Sequence, residues 1–192
     1  MQKRTGQRRR SGFTLIEMMV VLMITGVVLA MGLPRIDTAR YKADSVAQLV
    51  RNALLIAQRA AVSRQHDIIV SIDTAKARIR VAWDANNSGT VDSGERTLWQ
   101  GLETGNRFAK PEQGIFGTVA TSVVGAGLRT LDEMPTMTFH RDGSVSTGVE
   151  IYLSTAAQKV GITNRAIRVI QATGKADWYR RSPTGTWGLA TL

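Results

Sequence analysis

The chain has 192 residues and a formal net charge of +10, enough for one domain with its own core plus an anchoring segment. Lys3, Arg4, Arg8, Arg9 and Arg10 crowd the first ten residues, so 20 of the 25 bases face 15 acids in the rest, a net charge near +5. The absence of cysteine excludes disulfides, thiolate catalysis and cysteine-ligated zinc.

Residues 1–12 read as a basic leader. Residues 13–33 are apolar except for Glu17. A helix needs roughly 20 apolar residues to cross a bilayer core of about 30 Å, and this stretch meets that length with Glu17 inside it. A carboxylate at mid-bilayer costs about 2.5–3.5 kcal/mol on insertion scales, so Glu17 asks for a partner. Positive charge before an apolar helix stays cytoplasmic, which places the rest of the chain outside.

Gly12, Phe13, Thr14, Leu15, Ile16 and Glu17 resemble the processing site of type IV prepilins and pseudopilins. The resemblance implies cleavage after Gly12 by the prepilin peptidase, which also N-methylates the new terminus, Phe13. Because the cut precedes the apolar helix, the helix is retained, unlike that of an ordinary secretory signal. The resemblance further implies a single-pass inner-membrane protein with an extracytoplasmic carboxy-terminal domain, later assembled with other pilins or pseudopilins into a filament. Glu17 would be the signature carboxylate. An α-amine has a pKa of about 7.7–8.0, and two opposite charges in a dry helix bundle are tolerable when they pair. Glu17 would therefore meet the Phe13 amine of a neighbouring subunit and set the axial register. Pro34 stands where many pilin helices carry a proline, and predicts a kink or local melting.

The helix is expected to run from Phe13 to about Arg64. Beyond Pro34 it becomes amphipathic, with Val46, Leu49, Val50, Ala53, Leu54, Ala57, Ala60 and Ala61 at three- and four-residue steps. The period then changes. Residues 68–72 read as a strand, and residues 77–83 alternate apolar and charged side chains, as in a half-buried strand. A polar loop follows at 84–95, with a short returning strand at 97–99. Residues 101–134 read as irregular with one or two short strands. Strands are expected at 136–140 and 149–153, separated by an Asp-Gly turn at 141–144, and a final hairpin pairs 166–170 with 176–180.

The order of a long helix followed by antiparallel strands predicts an α+β fold, type IV pilin-like, with the helix packed on one face of an antiparallel sheet. The expected organisation is leader 1–12, transmembrane or filament-core helix 13–34, amphipathic helix half 35–66 and β-rich domain 67–192. Residues 57–61, residues 139–144 and the terminal strand–Gly–strand hairpin resemble the GspH/FimT group of minor pseudopilins.

Two sets of residues could carry chemistry. Asp84, Asn86, Ser88, Thr90, Asp92 and Glu95 supply oxygens at loop positions 1, 3, 5, 7, 9 and 12, with Gly89 at position 6: the pattern of an EF-hand calcium loop between strands rather than helices. This makes one Ca²⁺ the single cofactor expectation. Arg165, Arg168, Lys175, Arg180 and Arg181 lie among Trp178, Tyr179 and Trp187, which could bind DNA through phosphate contacts and stacking. The alternative is a solvated strand face. His66 and His140 are isolated, and Gly125-Ala126-Gly127 lacks the residues of a phosphate loop. The expected role is a structural subunit without enzyme activity: a minor pseudopilin of a type II secretion-like machine, at or near a filament tip. The second reading is a FimT-like minor pilin that captures DNA.

Overall fold

The computed structural model describes residues 12–32, 38–155 and 163–190. It divides into two compact units, residues 1–37 and 38–192. Pro34 and the leader before Gly12 lie outside the described residues.

The first unit holds α1, Leu15–Gly32. The helix begins two residues later than Phe13, because Thr14 caps it. Its large apolar side chains between Leu15 and Leu29 are all exposed. Such a helix is apolar all round and has no polar face to turn to water. Its 18 residues rise about 27 Å at 1.5 Å per residue. Among the described residues no helix is long and apolar enough to cross a membrane.

The second unit begins with α2, Thr38–Arg64. Ala43, Val46, Ala47, Val50, Leu54, Ala57 and Ala61 are buried on one face, while Leu49, Ala53 and Ala60 lie at its margin. Small alanines let the helix approach the strands closely. The helix ends where Gln65 turns into the left-handed region (φ 58°), its N–H bonding the Ala61 carbonyl at 3.0 Å.

Among the described residues eleven strands follow, and they form two sheets rather than one. β1 (Asp67–Asp73), β2 (Arg78–Asp84), β3 (Thr97–Gly101), β6 (Arg129–Leu131) and β7 (Met134–Phe139) make the first, in the order β3-β2-β1-β7-β6. β4 (Asn106–Phe108), β8 (Val149–Thr155), β9 (Arg165–Val169), β10 (Ala176–Arg181) and β11 (Trp187–Leu189) make the second, in the order β11-β10-β9-β8-β4, with β5 (Val123–Val124) also on β8. All pairings are antiparallel. α2 packs against strands of both sheets, and the core continues from Val50 and Leu54 through Ile68, Val70 and Met137 to Ile151, Ile167 and Trp178.

The expected strands at 136–140 and 149–153 both form, but they belong to different sheets. After β7 the chain turns at Gly143 (φ 86°), forms an isolated bridge from Val145 to Phe139, and leaves for the second sheet. β2 is buried on both faces, not on one: Arg80 lies inside, bonding Ser71 at 3.1 Å and Asp132 at the rim. A polar network rather than apolar packing covers that outer face.

Candidate assembly and binding sites

Gly12, Phe13 and Thr14 precede α1 in irregular backbone. The Thr14 hydroxyl accepts the Glu17 N–H at 3.3 Å, and the Glu17 carboxylate accepts the Thr14 N–H at 3.3 Å. This reciprocal pair is a capping box, and it satisfies donors that the first turn of a helix leaves open. Glu17 thus has a partner within its own chain, four positions from the end that cleavage after Gly12 would create. Phe13 is exposed beside it.

Residues 84–95 close on themselves. Asp84, only 1% exposed, accepts the N–H groups of Ser88 and Gly89, both at 2.8 Å. Asp92 accepts Asn86 Nδ2 at 2.8 Å and the hydroxyls of Ser88 and Thr90 at 3.0 Å. Those donors, Asn86 foremost, hold its carboxyl below the ordinary carboxylate range. Glu95 accepts the N–H groups of Ala85 and Asp92, each at 3.0 Å. Gly89 takes the positive φ (78°) that lets the chain turn between these groups. All three carboxylates are thus engaged by protein donors, and among the described residues no group of three or more His, Cys, Asp or Glu side chains is placed to hold a metal. A calcium ion would have to displace these donors.

The five bases near the carboxy terminus do not share a face. Period-two alternation sends Arg165 and Arg180 toward α2, where both meet Asp44, at 2.6 and 3.0 Å. Arg165 is only 2% exposed. Burial pulls its guanidinium below the ordinary arginine value, while the Asp44 carboxylate opposes that shift. Arg168 lies under the Phe116 ring at 4.4 Å, Arg181 pairs with Glu112 at 3.2 Å, and Lys175 pairs with Asp177 at 2.9 Å. The five bases named for DNA binding therefore do not lie on one face. Arg165 is an internal ion-pair member that cannot reach a phosphate, and Arg180 shares its carboxylate.

Sequence reading also missed what joins its own motifs. Gln58 donates to the carbonyls of Thr173 at 2.6 Å and Gly143 at 3.3 Å. Residues 57–61, the Gly143 turn and the Gly174 turn therefore meet at one point. Gly174 (φ 62°) lies so close that an added Cβ would overlap the Gly143 carbonyl and stand 3.0 Å from Gln58 Nε2. These motif residues fasten the two sheets to α2. Tyr152, buried beneath the segment between β4 and β5, accepts the Ile115 N–H at 2.9 Å and donates to Glu150.

The described residues thus hold a capped apolar helix and, as a separate unit, a helix packed on antiparallel sheets, an α+β fold. Residues 7–33 match the family described as the prokaryotic N-terminal methylation motif, which spans Gly12, Phe13 and Glu17. Among solved structures, the minor pseudopilin EpsH from the type 2 secretion system of Vibrio cholerae is similar at 15% identity and a TM-score of 0.43, over 78% of this chain and 97% of that one. The type IV minor pilin FimU of Pseudomonas aeruginosa is similar at 16% identity and a TM-score of 0.46, over 79% of this chain and 96% of that one. No curated protein matches the sequence.

Proposed function

We propose that the chain is a minor pseudopilin of a type II secretion-like machine, a subunit that acts by assembling rather than by catalysis. Three observations support this reading. The methylation motif covers residues 7–33, the apolar helix that follows Gly12 exposes its large side chains on every side, and a self-contained α+β unit comes after it. The exposed helix carries the argument: so much apolar surface needs lipid or other helices around it. In this reading residues 1–12 are removed and Phe13 is methylated. α1 holds the protein in the inner membrane with residues 38–192 outside. The helix later leaves the lipid for a filament, near whose tip the subunit stands.

Coexpression with a prepilin peptidase, followed by intact mass of the membrane-extracted protein, tests the reading. The expected product begins at a methylated Phe13. A product that retains residues 1–12 despite an active peptidase contradicts it.

A further inference from the structure

We propose that β3 accepts an extended, uncharged segment of a second protein as one more antiparallel strand of the first sheet. Every group involved lies within residues 38–192, so the pairing does not depend on how the chain is anchored.

β3 stands at one end of its sheet, in the order β3-β2-β1-β7-β6. Leu98 lies opposite Val81 and Gln100 opposite Ile79, in phase with two bonds that flank them. Those bonds run from the Trp83 N–H to the Arg96 carbonyl at 3.0 Å and from the Leu102 N–H to the Ala77 carbonyl at 2.8 Å. Antiparallel ladders alternate, so the N–H and C=O groups of Thr97, Trp99 and Gly101 point away from β2. No backbone partner meets them among the described residues. Proteins protect such edges with charge, proline, bulges or short strands. β3 has none of these. Its five residues are all exposed, none is charged, and their register on β2 is unbroken. The edge strands β4, β6 and β11 are three residues long, and β4 and β6 carry Arg107 and Arg129.

The groove beside this edge defines the occupant. Leu98 and Gln100 turn toward one flank of α2, where Leu49, Ala53 and Ile56 follow each other at helical steps. Together they border a space of about 360 Å³. Ile56 and Leu98 remain 54% and 47% exposed, apolar side chains that the chain itself leaves uncovered. All nine residues that line the groove are uncharged. A charge entering it would lose water and gain no counterion, so the inward side chains of the occupant are apolar. Alternation supplies the fit. Residues of an added strand opposite Leu98 and Gln100 enter the groove. Those opposite Thr97, Trp99 and Gly101 lie on the outer face, where the Trp99 ring stacks on the Arg78 guanidinium at 3.8 Å. Main-chain bonds hold such a strand and its alternate side chains select it.

The test uses the full-length chain in lipid nanodiscs and two dye-labelled heptapeptides of alternating threonine and leucine. One carries N-methyl groups on its leucines, the other on its threonines. In the antiparallel strand the threonines stand opposite Thr97, Trp99 and Gly101 and aim their N–H groups at β3. The leucines enter the groove and aim theirs at solvent. Fluorescence anisotropy should show binding of the leucine-methylated peptide and loss of binding by its isomer. Thr97→Pro removes one outward N–H and no bond to β2, and should weaken binding about fivefold. Ile56→Asp, at an exposed site, should abolish it. Unchanged amide exchange in β1 and β2 shows that both variants remain folded. Equal binding of the two peptides, preference for the threonine-methylated one, or binding of neither overturns the proposal. Concentration-dependent dimerisation that Thr97→Pro abolishes assigns the edge to a second copy and overturns the occupant named here.

Discussion

Thr14 and Glu17 cap each other at the start of α1, hydroxyl to N–H and carboxylate to N–H, each at 3.3 Å. A residue singled out for a joint between subunits therefore has a task inside its own subunit. Losing an N-cap side chain costs about 0.5–2 kcal/mol of helix stability. Thr14→Ala is expected to fray the first turn of α1, read as faster amide exchange at residues 15–17 in detergent. Unchanged exchange would show that the cap does not hold the helix end.

Asp44 joins α2 to β9 and β10. Removing one partner of a buried pair strands the other charge, at about 3–5 kcal/mol. Asp44→Ala should therefore destabilise the folded unit by about that much, because Arg165 is left buried without it. Arg180, half exposed, should contribute under about 1 kcal/mol on Arg180→Ala. Denaturant melts of both variants check this, and equal losses would contradict the assignment of Arg165 as the buried partner.

The Gly174 turn admits no side chain. Gly174→Ala should cost about 1–3 kcal/mol from overpacking against the Gly143 carbonyl and Phe139. Gln58→Ala should lower stability as well, and the double variant should lose less than the sum, since both act at one contact. Full additivity would separate the two sites.

This junction shows what a sequence can and cannot convey. The stripe from Val46 to Ala61 and the strands around Ile69 and Val81 were legible, because a buried face imposes its period directly on residue type. The meeting of Gln58, Gly143 and Gly174 was not, since a contact between residues 58, 143 and 174 leaves no local period. The bases from Arg165 to Arg181 were misgrouped for a simpler reason. Period two sends neighbouring strand residues to opposite faces, and applying it to Arg165 and Arg168 would have separated them. The two-sheet arrangement and β11 were hidden in Gly-rich segments whose strands are two or three residues long. The Asp84–Glu95 spacing was read as a metal loop, yet the same spacing also lets carboxylates accept the loop's own N–H groups.

Tyr152 should give the fold an alkaline weakness. Burial, and then its bond to Glu150, raise its phenol well above the ordinary value of about 10. The folded state thus favours the protonated form more than the unfolded state does. That contribution is complete below pH about 10 and is lost as pH rises above it. Stability measured against pH should fall there for the wild type, and Tyr152→Phe should flatten the fall while lowering stability at neutral pH. An unchanged slope in the variant would assign the weakness to other groups.

Asp84 should stabilise the 84–95 loop without any metal. Asp84→Ala, with calcium chelated, is expected to cost about 1.5–3 kcal/mol, the worth of a hydrogen bond to a charged group. We further propose that calcium at or above about 10⁻³ M engages the same oxygens. It would then raise the wild-type melting temperature by mass action, and Asp84→Ala or Glu95→Ala would remove that increment. No increment in the wild type contradicts calcium binding and leaves the hydrogen-bonded turn as the loop's whole role.

We propose that subunits join through the charge of Glu17 and the amine of Phe13, and one comparison tests this joint directly. Glutamine can replace glutamate in a capping box but carries no charge, whereas leucine provides neither cap nor charge. Val20→Cys in the otherwise cysteine-free chain allows crosslinking of neighbouring α1 helices in cells that assemble the filament. Crosslinking should be strong with Glu17 and lost with both Glu17→Gln and Glu17→Leu, while all three proteins remain in the membrane. A Glu17→Gln variant that crosslinks like the wild type would contradict the charge joint and leave Glu17 as a helix cap alone.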